Sequence, residues 1–259
     1  MDHLGEYLVE SRLAGDVATT RASNFAHAKA FAEGVDAYQF GLPPLREWSL
    51  PQVLELMAER VGIDPDPQRA LGADFIDPKL TLRALERMRD RIRVAAERRE
   101  RVIFGSGHPA GIVEVHLAIA AALRAAGCEV LTPAAGATFP TDWTHPGAGE
   151  RLQVRYVGGV ALCSERGSAL WHSHSPLGMG RMLAEIEAHG VEPPALVIAD
   201  HGFAGAAAAA GLDVVCFADS NDPALFVGEA EDRVAVTVPI DDNIQPHRYG
   251  PVSQFLITW

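Results

Sequence analysis

The clearest pattern of hydrophobic positions lies between residues 195 and 222. Residues 195–199 form an uninterrupted apolar run of strand length, which is typical of a strand covered on both faces. Residues 203–210 are almost entirely alanine, so they predict a helix that packs very close to a sheet. Gly211 ends that helix, and residues 212–218 form a second apolar run. The pattern predicts a strand, a helix and a second strand parallel to the first.

A second unit of this kind begins where residues 102–104 predict a short strand. A glycine-rich turn follows at 105–109, and residues 112–126 have the spacing of an amphipathic helix. Residues 128–131 predict the next strand. Other apolar runs predict strands at 152–163 and 168–171, which would form an antiparallel hairpin, at 234–238, and at 254–259.

Residues 1–100 are dominated by helical spacing instead. The predicted helices are 24–33, 49–60 and 77–99, the last two with a proline near the first turn, where its missing N–H costs little. Together the patterns predict a three-layer α/β sandwich with a mostly parallel, Rossmann-like sheet. Residues 101–259 would form the α/β core, and the mainly helical region 1–100 would pack on it.

Composition and charge narrow the classes of protein to consider. The chain has 259 residues, of which 48% are hydrophobic, enough for a large core. Its formal net charge of −12 argues against nucleic-acid and anionic-membrane partners, since both need a basic face. The N-terminal segment is polar and acidic, and no apolar run reaches the ~20 residues that cross a bilayer. We expect a cytoplasmic protein with a small-molecule partner, compatible with homo-oligomer formation.

The three cysteines also favour a cytoplasmic protein. Cys128, Cys163 and Cys216 are odd in number, widely spaced, and each lies in an apolar, strand-like run. This arrangement is typical of reduced, buried cysteines and not of a disulfide framework or a zinc site.

Polar side chains recur where the predicted strands end. Because the carboxyl ends of parallel strands share one edge of a sheet, where ligands bind in open α/β folds, these side chains predict a site there. Turns are also rich in Asp, Asn and Gly for conformational reasons alone, so no single position is diagnostic. The positions are Gly105, Ser106, Gly107, His108, Asp200, His201, Gly202, Asp219, Asn221, Asp222, Asp241, Asp242 and Asn243, joined by His172 and His174 after the hairpin.

Three familiar interpretations of the glycine turn fail on spacing. A dinucleotide-binding turn has G-x-G-x-x-G, whereas Gly105, Gly107 and Gly111 extend one residue too far. A Walker loop needs Gly-Lys-Ser/Thr, and the sequence has no lysine after Lys79. The residues around Ser106 do not form the G-x-S-x-G nucleophile elbow, although Ser106 stays a candidate. The turn does lead to a helix N-terminus, where free N–H groups favour an anion.

The histidines and carboxylates suggest a metal. His172 and His174 are alternate residues on an extended segment, so both imidazoles could face one ion. The carboxylates after the strands suit a hard, oxygen-preferring ion, so Mg2+ is favoured over Zn2+. The candidate metal ligands are Asp200, Asp219, Asp222 and Asp241.

Four segments of the chain resemble a known family. They are GSGHPAGIVEVHLAIAAAL at 105–123, HSHSPLGM at 172–179, ADHGFAGAAAAAGLDVVCFADSNDPALFVGEAE at 199–231, and VPIDDNIQPHRYGPVSQFL at 238–256. They resemble an actinobacterial family of cytosolic proteins described as phosphatases, and the likeness covers most of the chain. The resemblance implies a class of activity and no role for any particular residue.

The leading hypothesis is metal-assisted hydrolysis of a small phosphate ester at the carboxyl edge of the sheet. The divalent ion would neutralise developing charge and activate water, and a histidine would protonate the leaving oxygen. The candidate catalytic residues are Asp200, His201, His108, His172 and His174. The candidate substrate-binding residues are Gly105, Ser106, Gly107, Gly202, Asn221 and Asn243.

Two other hypotheses fit the same residues. An isomerase acting on a sugar phosphate would use the same anion pocket, with His and Asp as the proton-transfer pair. A non-catalytic protein that binds a small anionic ligand would need neither the metal nor the proton transfer.

Overall fold

The computed structural model of the chain describes residues 3–141, 151–165 and 169–259. It has the α/β architecture that the sequence predicts. The helices are α1 His3–Glu10, α2 Arg21–Ala32, α3 Leu50–Arg60, α4 Pro78–Arg98, α5 Val113–Ala125, α6 Leu177–Ala188, α7 His201–Ala209, α8 Pro223–Ala230 and α9 Gly250–Ile257, with short 3-10 helices at Asp36–Tyr38 and Pro246–Tyr249. The strands are β1 Gly15–Thr20, β2 Ala73–Ile76, β3 Arg101–Gly105, β4 Glu129–Val130, β5 Thr138–Pro140, β6 Arg151–Val157, β7 Val160–Glu165, β8 Leu170–Trp171, β9 Leu196–Asp200, β10 Val214–Ala218 and β11 Val236–Pro239.

One large sheet forms the centre of the fold. Its strands lie in the order β11-β10-β9-β3-β7-β6-β5, with β4 beside β3 and β8 beside β7. The five strands from β11 to β7 are parallel, whereas β6, β5 and β8 pair antiparallel with their neighbours. Every residue of β9, β10 and β11 is buried, as strands covered on both faces should be.

The helices cover the sheet in two layers. Helices α4, α5 and α9 contact one another on one face, and α7 contacts both α6 and α8 on the other. The N-terminal helices join both layers, since α1 packs on α4 while α2 and α3 pack on α8. The result is the predicted three-layer sandwich.

The alanine-rich helix α7 shows why small residues occupy that layer. Gly205 lies so close to the preceding loop that a Cβ there would be 2.1 Å from the carbonyl oxygen of Phe40. Phe203 is fully buried and fills the space next to Gly105, where a Cβ would be 2.5 Å from the Phe203 ring. The loop containing Phe40 is thereby held against the start of α7.

Three details differ from the predicted elements. The predicted strand 152–163 is two strands, because the chain turns at Gly158 and Gly159, both with positive φ. The predicted final strand 254–259 is wrong: Gly250–Ile257 is a helix, with Val252 and Leu256 buried at helical spacing. The N-terminal region also contains an antiparallel ribbon of β1 and β2, which was not predicted because helical spacing dominates this region. Position 168, predicted as the start of a strand, lies outside the described residues.

Two further predictions concern the cysteines and membrane-spanning helices. All three cysteines are buried, as predicted. Within the part of the chain that the structure describes, no helix is both long and apolar enough to span a membrane.

Candidate active site

Adjacent parallel strands bring the predicted residues to one edge of the sheet. Along the order β11-β10-β9-β3, the residues that follow the strand ends form a continuous row. The row comprises Asp241 and Asp242 after β11, Asp219 and Asp222 after β10, Asp200 and His201 at the end of β9, and Ser106 and His108 after β3. His172 and His174 follow β8 and complete the group from the side of β7.

Asp200 is fully buried, and both of its carboxylate oxygens accept hydrogen bonds. Oδ2 accepts from the hydroxyl of Ser106 at 2.6 Å and from Nε2 of His116 at 3.0 Å. Oδ1 accepts from the backbone N–H of Gly107 and from Nδ1 of His201 at 3.0 Å. Burial alone would raise the pKa of Asp200, but the bonds from His116 and His201 hold it well below its usual range. Asp200 is thus an anion whose two carboxylate oxygens are both hydrogen-bonded, and it orients the side chains that donate to it.

His201 begins α7 with an unusual backbone conformation. Its φ of 45° is in the left-handed region that non-glycine residues rarely adopt. With Nδ1 on Asp200, the ring points Nε2 toward Asp222 Oδ2 at 3.5 Å and Asp242 Oδ2 at 3.8 Å. Burial lowers its pKa, but the charge of Asp222 and the bond to Asp200 outweigh burial and raise it to about 10.

The carboxylates of Asp219, Asp222, Asp241 and Asp242 form a buried acidic cluster. Burial raises the pKa of Asp219 to about 7, with the nearby charge of Asp241 adding to the effect. Burial also raises the pKa of Asp242 well above its usual value, an effect that His201 opposes and the charges of Asp219 and Asp222 reinforce. The pKa values of Asp222 and Asp241 are raised for the same first reason. Four carboxylates therefore lie close together, with the His201 imidazole beside Asp222 and Asp242.

The histidines pack at the other end of the row. Nε2 of His108 lies 3.3 Å from Nε2 of His172 and 3.4 Å from Oδ1 of Asp242. The His174 ring centroid is 4.9 Å from those of His172 and His201, and Phe40 packs edge-on against it at 5.0 Å. Burial and the neighbouring His201 lower the pKa of His108 and of His174 well below the usual value. The lowered pKa values favour the neutral form of both imidazoles, in which a ring nitrogen is available as a metal ligand.

Three overlapping groups in this row could hold a metal ion. Within each group the ligand atoms lie within 4.8 Å of one another. His201 belongs to the first and second groups, and Asp242 to the second and third, so the three form one continuous set. The groups are His108, His172 and His201; His201, Asp222 and Asp242; and Asp219, Asp241 and Asp242.

The glycine turn after β3 uses its N–H groups within the protein. The backbone N–H of Ser106 donates to Ala161, that of Gly107 to Asp200, and that of His108 to the Ser106 hydroxyl. The helix behind the turn begins only at Val113. These N–H groups therefore shape the turn and hold Asp200.

The other predicted substrate-binding residues make close contacts or hydrogen bonds within the protein itself. A Cβ at Gly107 would be 2.4 Å from the carbonyl oxygen of Ser173, and one at Gly202 would be 2.3 Å from that of His174. The side-chain amide of Asn221 donates to the Ser23 hydroxyl, and the backbone carbonyl oxygen of Asn221 is 2.9 Å from Nδ1 of His27. Asn243 is exposed, and its N–H donates to Asp241. The glycines let segments approach closely, and Asn221 joins α2 to the edge of the sheet.

Several residues that contact the site were not predicted. The hydroxyl of Thr19 donates to Asp219 Oδ2, and the N–H of Ala18 donates to Asp241 Oδ2 at 3.2 Å, so strand β1 reaches the acidic cluster. His116 was not predicted. Its position could have indicated it, because it is a polar residue on the buried stripe of α5. Neither Thr19 nor Ala18 carries a comparable signal, since their partners are 200 and 223 residues away.

A buried polar network ties the N-terminal region to the same place. Arg21 is fully buried and donates to Asp74 Oδ2 at 3.2 Å, and Asn24 donates to the same oxygen at 3.0 Å. The Ser220 hydroxyl bonds Asn24 at 3.0 Å and also reaches Asp219 Oδ1 at 3.2 Å. The position of Asp219 thus depends on contacts from both parts of the chain.

The structure is that of an α/β protein with a cluster of ionisable side chains at the carboxyl edge of its parallel sheet. Comparison with known proteins adds the family: the model of the family described as Phosphatase matches residues 1–259, and the chain belongs to that family. A Streptomyces coelicolor protein named Phosphatase SCO2771 is 46% identical over 257 residues, which is 98% of this chain and 94% of the relative. The resemblance to an actinobacterial family of phosphatases is confirmed. No solved structure matches the chain.

Proposed function

We propose that this chain is a metal-dependent phosphatase that hydrolyses a small phosphate ester at the carboxyl edge of its parallel sheet. The observation that carries the proposal is the convergence of His201, Asp222 and Asp242, all buried, with ligand atoms within 4.8 Å of one another. The family and the name of the Streptomyces relative support the reaction class. The substrate class that follows is a small phosphorylated molecule.

The spacing of the side chains fits a bound cation. Two donors about 2.1 Å from one ion are separated by roughly 3.0 Å when adjacent in an octahedral shell and by roughly 3.4 Å in a tetrahedral one. The contacts of His108 with His172 and Asp242, at 3.3 and 3.4 Å, and of His201 with Asp222, at 3.5 Å, are close to this separation. Among the described residues, Asp242 Oδ2 is also a buried carboxylate oxygen without a hydrogen-bond donor. A cation would satisfy it.

The ligand chemistry favours a hard or borderline ion. We assign Asp222, Asp242 and His201 as ligands, with Asp219 and Asp241 beside them, and this oxygen-rich set favours Mg2+ or Mn2+ over Zn2+. A cation at Nε2 of His201 would replace the proton that this nitrogen carries in the metal-free chain. When bound, the cation would neutralise phosphoryl charge and lower the pKa of a water molecule.

Asp200 has a different role in this proposal from that of a metal ligand. Its Oδ1 fixes His201 with the proton on Nδ1, which leaves Nε2 facing the carboxylates. Carboxylates that hold a metal-ligating histidine in this way raise its basicity and fix its ring. We therefore assign Asp200 as a positioning residue, supported by Ser106 and Gly107.

His174 is the candidate for proton transfer. It is half-buried and lines a cavity of about 490 Å3 together with Gln39, Gly41 and Pro176, which would receive the organic part of the ester. Beside the negative charge of a bound phosphate, which raises the pKa of a nearby imidazole, His174 can take a proton from the attacking water and return it to the ester oxygen as the phosphorus–oxygen bond breaks. The products are an alcohol and inorganic phosphate.

Phosphate release is the direct test. The purified chain is assayed with p-nitrophenyl phosphate and a panel of sugar phosphates, with Mg2+ or Mn2+ and after treatment with EDTA. We expect metal-dependent release that falls at least 100-fold in Asp222→Asn and His174→Ala and is unchanged in His189→Ala, an exposed histidine at the C-terminal end of α6.

Two other results would contradict the proposal. Release that is equal with and without EDTA, and equal in Asp222→Asn, would exclude the metal-dependent mechanism. Conversion of a sugar phosphate to its isomer without release of phosphate would favour the isomerase hypothesis.

A further inference from the structure

Asp242 lies between two chemically different groups of side chains. On one side are the ring nitrogens of three histidines, and Oδ1 of Asp242 is 3.4 Å from the nearest, Nε2 of His108. On the other side are the carboxylates of Asp219 and Asp241, which share a potential metal group with Asp242. Its own Oδ2 has no hydrogen-bond donor among the described residues, although the side chain is buried.

We propose that the site holds two divalent cations, one on each side of Asp242, which is a ligand to both. The nitrogen-rich position is formed by His108, His172 and His201. The carboxylate position is formed by Asp219 and Asp241. Asp222 lies next to His201, in the same potential metal group, and is a further ligand of the nitrogen-rich position. This inference rests on the proposed function, because it specifies the metal content of the same site.

The number of ligands argues for two ions. Seven side chains belong to the three overlapping groups, more than a single Mg2+ or Mn2+ would take from protein in its six-coordinate shell. The groups also extend in a row and not around one point, since the first and third have no residue in common. Paired ions that share a carboxylate are a common arrangement in phosphoryl-transfer sites.

Each position also has its own set of supporting hydrogen bonds. His201 and the histidine side are held by Asp200, which in turn is held from β3 and α5. Asp219 and Asp241 are held instead by Thr19 and Ala18 of β1. Separate support of this kind is expected when each position must keep its own geometry. The nitrogen-rich position suits a transition ion, and the carboxylate position suits a hard one.

Manganese is the probe that tests this inference, because Mn2+ accepts both nitrogen and oxygen ligands. The full-length chain is freed of metal, titrated with MnCl2 and analysed for bound metal, and the loaded protein is examined by electron paramagnetic resonance. We expect two Mn2+ per chain and the multiline spectrum of an exchange-coupled pair. We expect one Mn2+ without coupling in His172→Ala and in Asp241→Asn, because each removes a ligand from a different position.

Control variants and a folding check show whether a lost ion reflects a lost ligand or a misfolded chain. Asp90→Asn, an exposed carboxylate on α4, should bind two ions like the parent chain. Circular dichroism should show the parent helix content in every variant. If His172→Ala or Asp241→Asn fails to fold, His172→Gln or Asp241→Ala replaces it, because each still removes the original imidazole or carboxylate ligand.

The outcomes separate this inference from the proposed function. One bound Mn2+ at saturation, or two without exchange coupling, would overturn the two-ion inference even if the chain releases phosphate. Two coupled ions in a chain that releases no phosphate from any ester would uphold the metal centre and overturn the phosphatase. The metal measurement uses no substrate, so neither result depends on having found the right ester.

Discussion

Nδ1 of His201 donates to Oδ1 of Asp200, its neighbour in the chain, across a distance of 3.0 Å. Adjacent residues in an extended strand point in opposite directions, so this contact requires the backbone to turn abruptly where β9 ends. The positive φ of His201 supplies the turn. The strained residue therefore sits where the histidine must face the acidic cluster, which is where such strain is most often functional.

The Asp200→Asn variant tests whether this pair positions the metal ligand. An asparagine has one acceptor oxygen, so it cannot accept from His116, His201, Ser106 and Gly107 together. We expect metal affinity to fall 10–100-fold, the usual effect of removing a carboxylate behind a ligating histidine. Isothermal titration with Mn2+ measures the change, and Asp90→Asn is the control. Parent-like affinity in Asp200→Asn would show that the contact does not orient His201.

Gly107→Ala tests the close approach of two segments in the site. The added Cβ would be 2.4 Å from the carbonyl oxygen of Ser173 and 3.1 Å from Cβ of His201. Because a backbone carbonyl must move, we expect a loss of about 1–3 kcal/mol in the free energy of unfolding. Gly180→Ala is the matched control, since no atom of the described residues lies within 4 Å of the added Cβ, and a helical alanine should leave stability equal or higher. Urea denaturation distinguishes the two, and equal midpoints would contradict the packing argument.

The sequence predicted the part of the site that follows from local patterns and strand order. The apolar run of β9, the alanines of α7 and the apolar run of β10 identify a βαβ unit, and a parallel unit places Asp200 and Asp219 at the same edge. The short run at the end of the chain was misassigned because such runs fit a strand or a buried helix equally well. Only the packing of Val252 and Leu256 decides between them.

The contribution of the N-terminal region could not be predicted for a different reason. Thr19 and Asp219 are 200 residues apart, so no local pattern connects them. The different roles of the carboxylates that follow the strands could not be predicted from the sequence either. In the sequence, Asp200 and Asp242 both lie where a buried strand ends. Only the surrounding donors show that Asp200 is fully hydrogen-bonded, while Oδ2 of Asp242 has no donor among the residues that the structure describes.

The stability of the metal-free chain should depend on pH through Asp219. Its pKa is raised to about 7 in the folded state, whereas an unfolded aspartate titrates near 3.9. Folding therefore takes up a proton between these values, and the contribution of Asp219 becomes destabilising as pH rises toward 7 and stays so above it. Asparagine removes that penalty.

We accordingly expect Asp219→Asn to melt several degrees above the parent chain in EDTA at pH 8, and by a smaller margin at pH 5. Thermal melts at the two pH values measure the difference, with Asp90→Asn as the control that should follow the parent at both. With Mn2+ the order should reverse, because the variant has lost a ligand. A margin that is larger at pH 5 than at pH 8 would contradict the raised pKa.

Thr19 offers the sharpest test of whether the N-terminal region belongs to the site. Its hydroxyl donates to Asp219 Oδ2, and valine has nearly the same shape without the hydroxyl. We expect Thr19→Val to weaken Mn2+ binding about 10-fold, as loss of a bond behind a metal ligand usually does. Because the residue is only half-buried, the free energy of unfolding without metal should change by less than about 1.5 kcal/mol, the range of one ordinary hydrogen bond. Thr19→Ser, which restores the hydroxyl, should recover most of the affinity. If valine and serine bind Mn2+ equally well, strand β1 supports the fold alone, and the metal centre is built entirely by residues after position 100.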